Sequence, residues 1–218
     1  IFAFLNYLPY SKHFHIILAF PNTYYANLEA KGRFENNAAV TKEVALMMDP
    51  SADPFAAPAP DADAPIERFG AKDADDLSWA NLLNAYTCTE CGRCTSECPA
   101  NLTGKKLSPR KIMMDTRDRI EEIGANIAAN GAFLDDGKSL LGDYITHEEL
   151  WACTSCNACV QACPVDIDPL NIIMKLRNFA TMEESSAPGA LNAMMTNVEN
   201  NGAPWPFNQM DRANWINE

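Results

Sequence analysis

Eight cysteines fall into two blocks of one spacing, Cys88, Cys91, Cys94, Cys98 and Cys153, Cys156, Cys159, Cys163, each C-x2-C-x2-C-x3-C with a proline directly after the last cysteine. Any fold of this chain must gather those thiols. The blocks use up the 8 cysteines, leaving none for a structural disulfide or a reactive thiol. Disulfide frameworks belong to small secreted chains with dispersed spacings. Two clustered copies of one pattern point instead to metal and to a reducing compartment.

The spacing also selects the metal group. Three cysteines at intervals of three wrap three corners of a cubane while backbone N–H groups of the tight loop face its sulfides. The fourth, before a proline, lies too far along the turn for that cube, and in two-cluster ferredoxins it ligates the other. The expected sets are Cys88, Cys91, Cys94 and Cys163 for cluster one, and Cys153, Cys156, Cys159 and Cys98 for cluster two. Zinc also uses C-x2-C pairs, but it has no use for the middle triplet or the trailing Cys-Pro. With all ligand positions filled, two [4Fe-4S] clusters conduct electrons and bind no substrate.

The blocks sit inside a repeat. CTECGRCTSECP at 88–99 matches CTSCNACVQACP at 153–164, and SPRKIMMDTRD at 108–118 matches DPLNIIMKLRN at 168–178. Cysteine block, loop and capped helix thus occur twice, each half needing the other. SWANLLNAYT carries Trp79, Leu82, Leu83 and Tyr86 at helical spacing into the first block. Ser108 and Pro109 open a helix expected to stop at Gly124. Thr146 and Glu149 form a capping box before the second block, Asp168 and Pro169 open the next helix, and Ser186 with Pro188 opens a last one ending at Gly202. A further short amphipathic helix is expected within 26–48. No alternating strand run appears, so the class is mainly α.

Residues 49–78, DPSADPFAAPAPDADAPIERFGAKDADDLS, are rich in Pro, Ala and Asp and read as an extended linker. Four parts follow: a membrane-proximal segment at 1–48, the linker at 49–78, a two-cluster domain at 79–184, and a C-terminal helix with a docking tail at 185–218. The start, IFAFLNYLPYSKHFHIILAF, is apolar but broken by Pro9, Lys12, His13 and His15. It reads as the last turn or two of a spanning helix followed by an interfacial segment of a processed or truncated chain. With 17 Lys+Arg against 29 Asp+Glu and net charge −12, the chain offers no basic surface for nucleic acid, and any membrane attachment must be hydrophobic.

Two such motifs with helices between them resemble the α-helical ferredoxin domains of heterodisulfide reductase C-subunits and of the small subunit of anaerobic glycerol-3-phosphate dehydrogenase. The iron–sulfur subunit of succinate dehydrogenase is less similar, since no C-x4-C-x2-C domain precedes the helical one. LPYSKHFHIILAFP, in turn, is similar to the C-terminal end of nitrate-reductase gamma-type cytochromes b, a resemblance that makes His15 an axial ligand of haem b. Together they resemble membrane-bound iron–sulfur oxidoreductases of the heterodisulfide reductase-like type. The resemblance implies a quinone-linked electron-transfer subunit in a hetero-oligomeric complex at the inner membrane, the ferredoxin domain on the cytoplasmic side. It also implies a further redox subunit, bearing a CCG motif or flavin, for terminal chemistry that this chain lacks. The alternative is a soluble ferredoxin-like module whose hydrophobic N-terminus only anchors it in a larger assembly.

Other residues read as supporting. Met113, Met114 and Met174 suit a packed face against the clusters, Arg93 a place near cluster one, and Arg117 and Arg177 one repeat position facing helix ends. His147 and the acidic run 73–76 read as surface. Trp205, Phe207 and Trp215 read as a docking surface.

Overall fold

A computed structural model describes residues 1–11, 13–29, 33–34, 36–49 and 68–216. These residues are mainly helical, with no strand among them. Three short helices come first: α1 (Phe2–Tyr7), α2 (Phe14–Tyr24) and α3 (Ala38–Met48). Then follow α4 (Trp79–Thr87), α5 (Arg93–Ser96), α6 (Pro99–Leu102), α7 (Pro109–Asn130), α8 (His147–Ala152), α9 (Ala158–Gln161), α10 (Pro169–Met182) and α11 (Gly189–Asn201). The chain divides into two units, Ile1–Phe179 and Ala180–Glu218.

In the first unit the caps are side chains the sequence puts in place. Ser108 accepts from the Lys111 N–H, Asp168 from the Asn171 N–H, and Thr146 and Glu149 form both arms of a capping box. The helix opened by Ser108 runs through Gly124 and ends at Gly131, which takes the left-handed conformation at φ 80°. A lone glycine costs a helix interior only about 1 kcal/mol, and the Ala-rich turn beyond it carries the helix on. The core gathers Ile112, Met113 and Ile123 of α7, Leu140, Ile145 and Leu150 before the second block, and Leu170, Ile172, Ile173 and Leu176 of α10, all buried. Burying each such side chain contributes about 1.5–3 kcal/mol.

The linker expected over 49–78 differs from what forms. Residues 50–67 lie outside the described residues. Residues 68–78, however, are folded in: Ala71, Asp73, Ala74 and Leu77 are buried, and the Ala71 N–H bonds the Lys175 carbonyl at 3.1 Å. Asp73, expected at the surface, is a core anion because it meets Arg119, which is 0 % exposed. The N-terminal segment packs on the same unit: Asn22, 3 % exposed, donates from Nδ2 to the Val165 carbonyl at 2.7 Å, and the rings of Tyr25 and Trp79 meet edge-on at 5.0 Å. Among the described residues no helix is long and apolar enough to cross a membrane.

In the second unit, α11 starts one residue after Pro188, without a side-chain cap. Ser186, expected to cap it, instead directs its N–H to the Ala180 carbonyl at 2.8 Å. Gly202 ends the helix at φ 65°, and Trp205, Phe207 and Trp215 beyond it are exposed.

Candidate metal centre

Each cysteine loop is launched by a helix and shaped by two left-handed residues. Cys88 caps the C-terminus of α4 and Cys153 that of α8. Glu90 and Gly92 follow at φ 60° and 82° in the first loop, Ser155 and Asn157 at φ 55° and 61° in the second. Positive φ is uncommon for residues other than glycine, and its recurrence at matching positions marks a built conformation. Left-handed residues alternating with right-handed ones turn successive N–H groups inward, a concavity typical of phosphate and iron–sulfur sites. The Ser155 N–H already points at Cys153 Sγ, 3.4 Å away, and the Glu90 N–H draws the Cys88 thiol downward in the same way. The short helices α5 and α9 then carry Cys94 and Cys159. Cys98 and Cys163 precede Pro99 and Pro164.

All eight thiols are free. Cys88, Cys91 and Cys94 of the first block line one cavity together with Cys163 and Cys159 of the second, walled by Met113, Pro164, Val165 and Ile167. At about 70 Å³ it exceeds the ~10–15 Å³ that a water needs, so a group larger than one ion has room there. Among the described residues no three His, Cys, Asp or Glu side chains converge on a single ion-sized point. Burial raises the Cys88 thiol, with Cys163 and Cys91 adding to it; burial raises Cys153, with Cys98 and Cys156 beside it. Cys159 is pushed up to about 12 by burial, then by Cys153 and Asp168. Such thiols release protons only to a cationic centre. The middle cysteines, Cys91 and Cys156, are the exposed ones of their loops.

The two repeat-equivalent arginines do more than face helix ends. Arg117 pairs with Glu90 at 2.6 Å. Arg177 donates to the carbonyls of Leu150 at 2.8 Å and Cys153 at 2.6 Å and to Ser155 Oγ at 3.2 Å, with its guanidinium 5.0 Å from the Trp151 ring centre. Each clamps its own cysteine loop. Spacing alone missed Glu90, Ser155 and Trp151, whose indole N–H is buried without a protein partner. The repeat alignment does set Glu90 opposite Ser155. Met113 walls the cavity, Met174 lies 3.9 Å from Ser155 Oγ, and the exposed Arg93 lines the cavity rim. His147 is half-buried with Nδ1 enclosed, less open than expected.

His15 sits on α2. With Tyr10, His13 and Phe14 it forms one wall of an open cleft of about 860 Å³, whose other wall includes Cys88, Thr89, Glu90 and Arg117. The histidines and the first cysteine loop therefore share one solvent space.

Residues 87–167 match the 4Fe-4S dicluster domain family. The chain is similar to the probable iron-sulfur-binding oxidoreductase FadF of Bacillus subtilis, 32% identical over 99% of this chain and 32% of that protein. It is similar to the EtfAB:quinone oxidoreductase of Syntrophomonas wolfei, 28% identical over 100% of this chain and 30% of that protein. It is also 32% identical, over 50% of its length and 54% of the relative's, to the C-subunit of the ferredoxin/F(420)H(2)-dependent CoB-CoM heterodisulfide reductase of Methanosarcina acetivorans. The chain spans about a third of the length of the first two relatives. Its central segment is a 4Fe-4S dicluster domain within a mainly helical chain, and its relatives are iron–sulfur oxidoreductases and their subunits.

Proposed function

We propose that the chain is the electron-transfer segment of a membrane-associated, quinone-linked oxidoreductase, with cluster one on Cys88, Cys91, Cys94 and Cys163 and cluster two on Cys153, Cys156, Cys159 and Cys98. The ligand exchange is supported by Cys163, which lines the cavity of Cys88, Cys91 and Cys94 and bears electrostatically on both Cys88 and Cys94, whereas Cys159, on the same cavity, has Cys153 of its own block as its principal thiol neighbour. Cys98, reciprocally, is an electrostatic neighbour of Cys153. Bound there, two [4Fe-4S] clusters supply one-electron oxidation and reduction. The chain's own residues hold the loops in left-handed turns, screen them with Met113, Val165 and Ile167, and leave Cys91 and Cys156 at the surface where a redox partner approaches.

The finer reading adds a haem b held through His15, whose cleft opens onto Cys88. Imidazole is a standard haem ligand, and a second axial ligand would come from other helices. The exposed apolar side chains of the first helices, Phe2, Phe4, Ile16, Ile17 and Phe20, favour a membrane or membrane-protein surface. The quinone is suggested by the name of the Syntrophomonas relative. A flavin- or CCG-containing subunit would complete a hetero-oligomer on the cytoplasmic side of the inner membrane. If the N-terminus only docks the module, as its bond to Val165 would also allow, the same clusters serve without haem.

Dithionite reduction followed by EPR tests the core of the reading: two tetranuclear signals support it, and a zinc-only metal analysis sinks it. Replacing Cys98 by serine is expected to damage cluster two, and a loss confined to cluster one would overturn the exchanged assignment. The haem reading fails separately if the full-length protein shows no b-type α-band, or keeps it unchanged in His15→Ala.

A further inference from the structure

The two cysteine loops are copies in backbone but not in charge. Their third positions are Glu90 and Ser155, both left-handed, and both face the arginine contributed by the helix of their own half. In the first loop Arg117 and Glu90 lie 2.6 Å apart with side chains only 21% and 25% exposed. A second carboxylate, Asp118, stands 3.9 Å from Arg117 but is exposed to solvent, so Glu90 is the partner that neutralises the clamp. In the second loop Arg177 is satisfied by two carbonyls and a hydroxyl, and among the described residues no carboxylate pairs with it. Each arginine bears on the first thiol of its loop, Arg117 on Cys88 and Arg177 on Cys153, but only Arg117 does so with a carboxylate bound against it.

We propose that the third loop residue, Glu90 in one half and Ser155 in the other, sets the reduction potential of the cluster on its loop by making the arginine clamp neutral or cationic. This rests on the cluster reading above, which iron content and the wild-type EPR signals test on their own. A cube gains one negative charge on reduction, so a nearby uncompensated cation favours the reduced form and a carboxylate beside that cation withdraws the preference. Arg93 and Arg110, exposed at the rim of the first cavity, and Asp168 near Cys159 also face the clusters. They influence the absolute potentials but are common to all variants, so shifts isolate the clamp. Glu90 and Ser155 act through arginine and touch no substrate; they are positioning residues.

The test is an EPR-monitored potentiometric titration of the cluster-loaded chain as wild type, Glu90→Gln and Ser155→Glu. Glutamine keeps a hydrogen-bond acceptor for Arg117 and removes only charge. Glu90→Gln is expected to move one wave upward by about tenfold in the reduced-to-oxidised ratio at fixed potential, about 59 mV for one electron, leaving the other in place. Ser155→Glu, at a backbone angle that glutamate already adopts in the first loop, is expected to move the other wave downward by a similar factor. A purely mechanical clamp leaves the Glu90→Gln titration superimposed on wild type, and that result overturns the proposal, as does a common shift of both waves. Should Ser155→Glu bind less iron than wild type, Glu90→Gln decides alone.

Discussion

Arg119 grips Asp73 across 46 residues of sequence, with Nε 2.9 and 3.0 Å from its two oxygens and Nη2 2.6 Å from one of them. The other edge of the guanidinium takes Asp136 at 2.6 and 3.0 Å and the Lys138 carbonyl at 2.9 Å. Asp73 completes its shell with the Leu140 N–H at 3.0 Å. One arginine on α7 thereby fixes the segment ahead of α4 and the loop ahead of α8, the two helices that end in Cys88 and Cys153.

Arg119→Met is accordingly expected to be severe. It would leave Asp73, whose side chain is 13% exposed, without its cation, and removing one partner of a buried pair costs about 3–5 kcal/mol. Chemical denaturation should show a loss of that order. Arg119→Lys should lose less, since it keeps charge but not the two-sided fork. A midpoint unchanged in Arg119→Met would show that the pair does not hold the unit together.

The same group predicts an acid limb. Arg119 hydrogen bonds hold Asp136 at about 2, below its ordinary 3.8, with the Lys138 N–H assisting. A carboxyl lowered in the fold stabilises above its unfolded value, and the contribution is lost as pH falls from about 4 through about 2. The difference in Tm between wild type and Asp136→Asn should be level from about pH 7 to 5 and narrow below about pH 4. A difference that widens on acidification would reverse the assigned sign.

Gly70 shows what the sequence kept hidden. The cysteine spacing, the caps at Ser108, Asp168 and Thr146 and the helical class are all local patterns, and each is readable because cause and effect lie within a few residues. Gly70 and Asp73 stand in a stretch whose composition says linker, yet their partners are Lys175 and Arg119, far along the chain. Composition averages over a window and cannot register one distant counter-charge. Likewise the left-handed Glu90 and Ser155 are legible only once the loop geometry is known. Gly70→Ala is the corresponding test: at φ 94° a Cβ would collide with the Lys175 carbonyl oxygen and meet the Phe179 nitrogen at 2.7 Å, both backbone atoms. Strain of this kind costs about 1–3 kcal/mol. Thermal unfolding should therefore fall by several degrees in Gly70→Ala, while Gly104→Ala, with nothing within 4 Å but also at positive φ, should lose less.

The tie between Asn22 and Val165 makes the last prediction. Val165 lies two residues beyond Cys163, so the amide of Asn22 links α2, and with it His15, to the backbone that carries that cysteine. The neighbouring link, Thr87 Oγ1 to the Leu18 carbonyl, is long at 3.5 Å, and that hydroxyl has a better acceptor in Leu83 at 2.8 Å. Of these two links, that of Asn22 is the stronger. Asn22→Ala leaves a carbonyl without its donor, a loss of about 1–3 kcal/mol that falls on the docking of α2. Hydrogen exchange in α2 should accelerate in that variant, with α7 unchanged, because local opening draws only on contacts made by the segment that opens. Equal acceleration in both helices would mean that Asn22 supports the whole unit, and no change in either would mean that α2 is held by its apolar contacts alone.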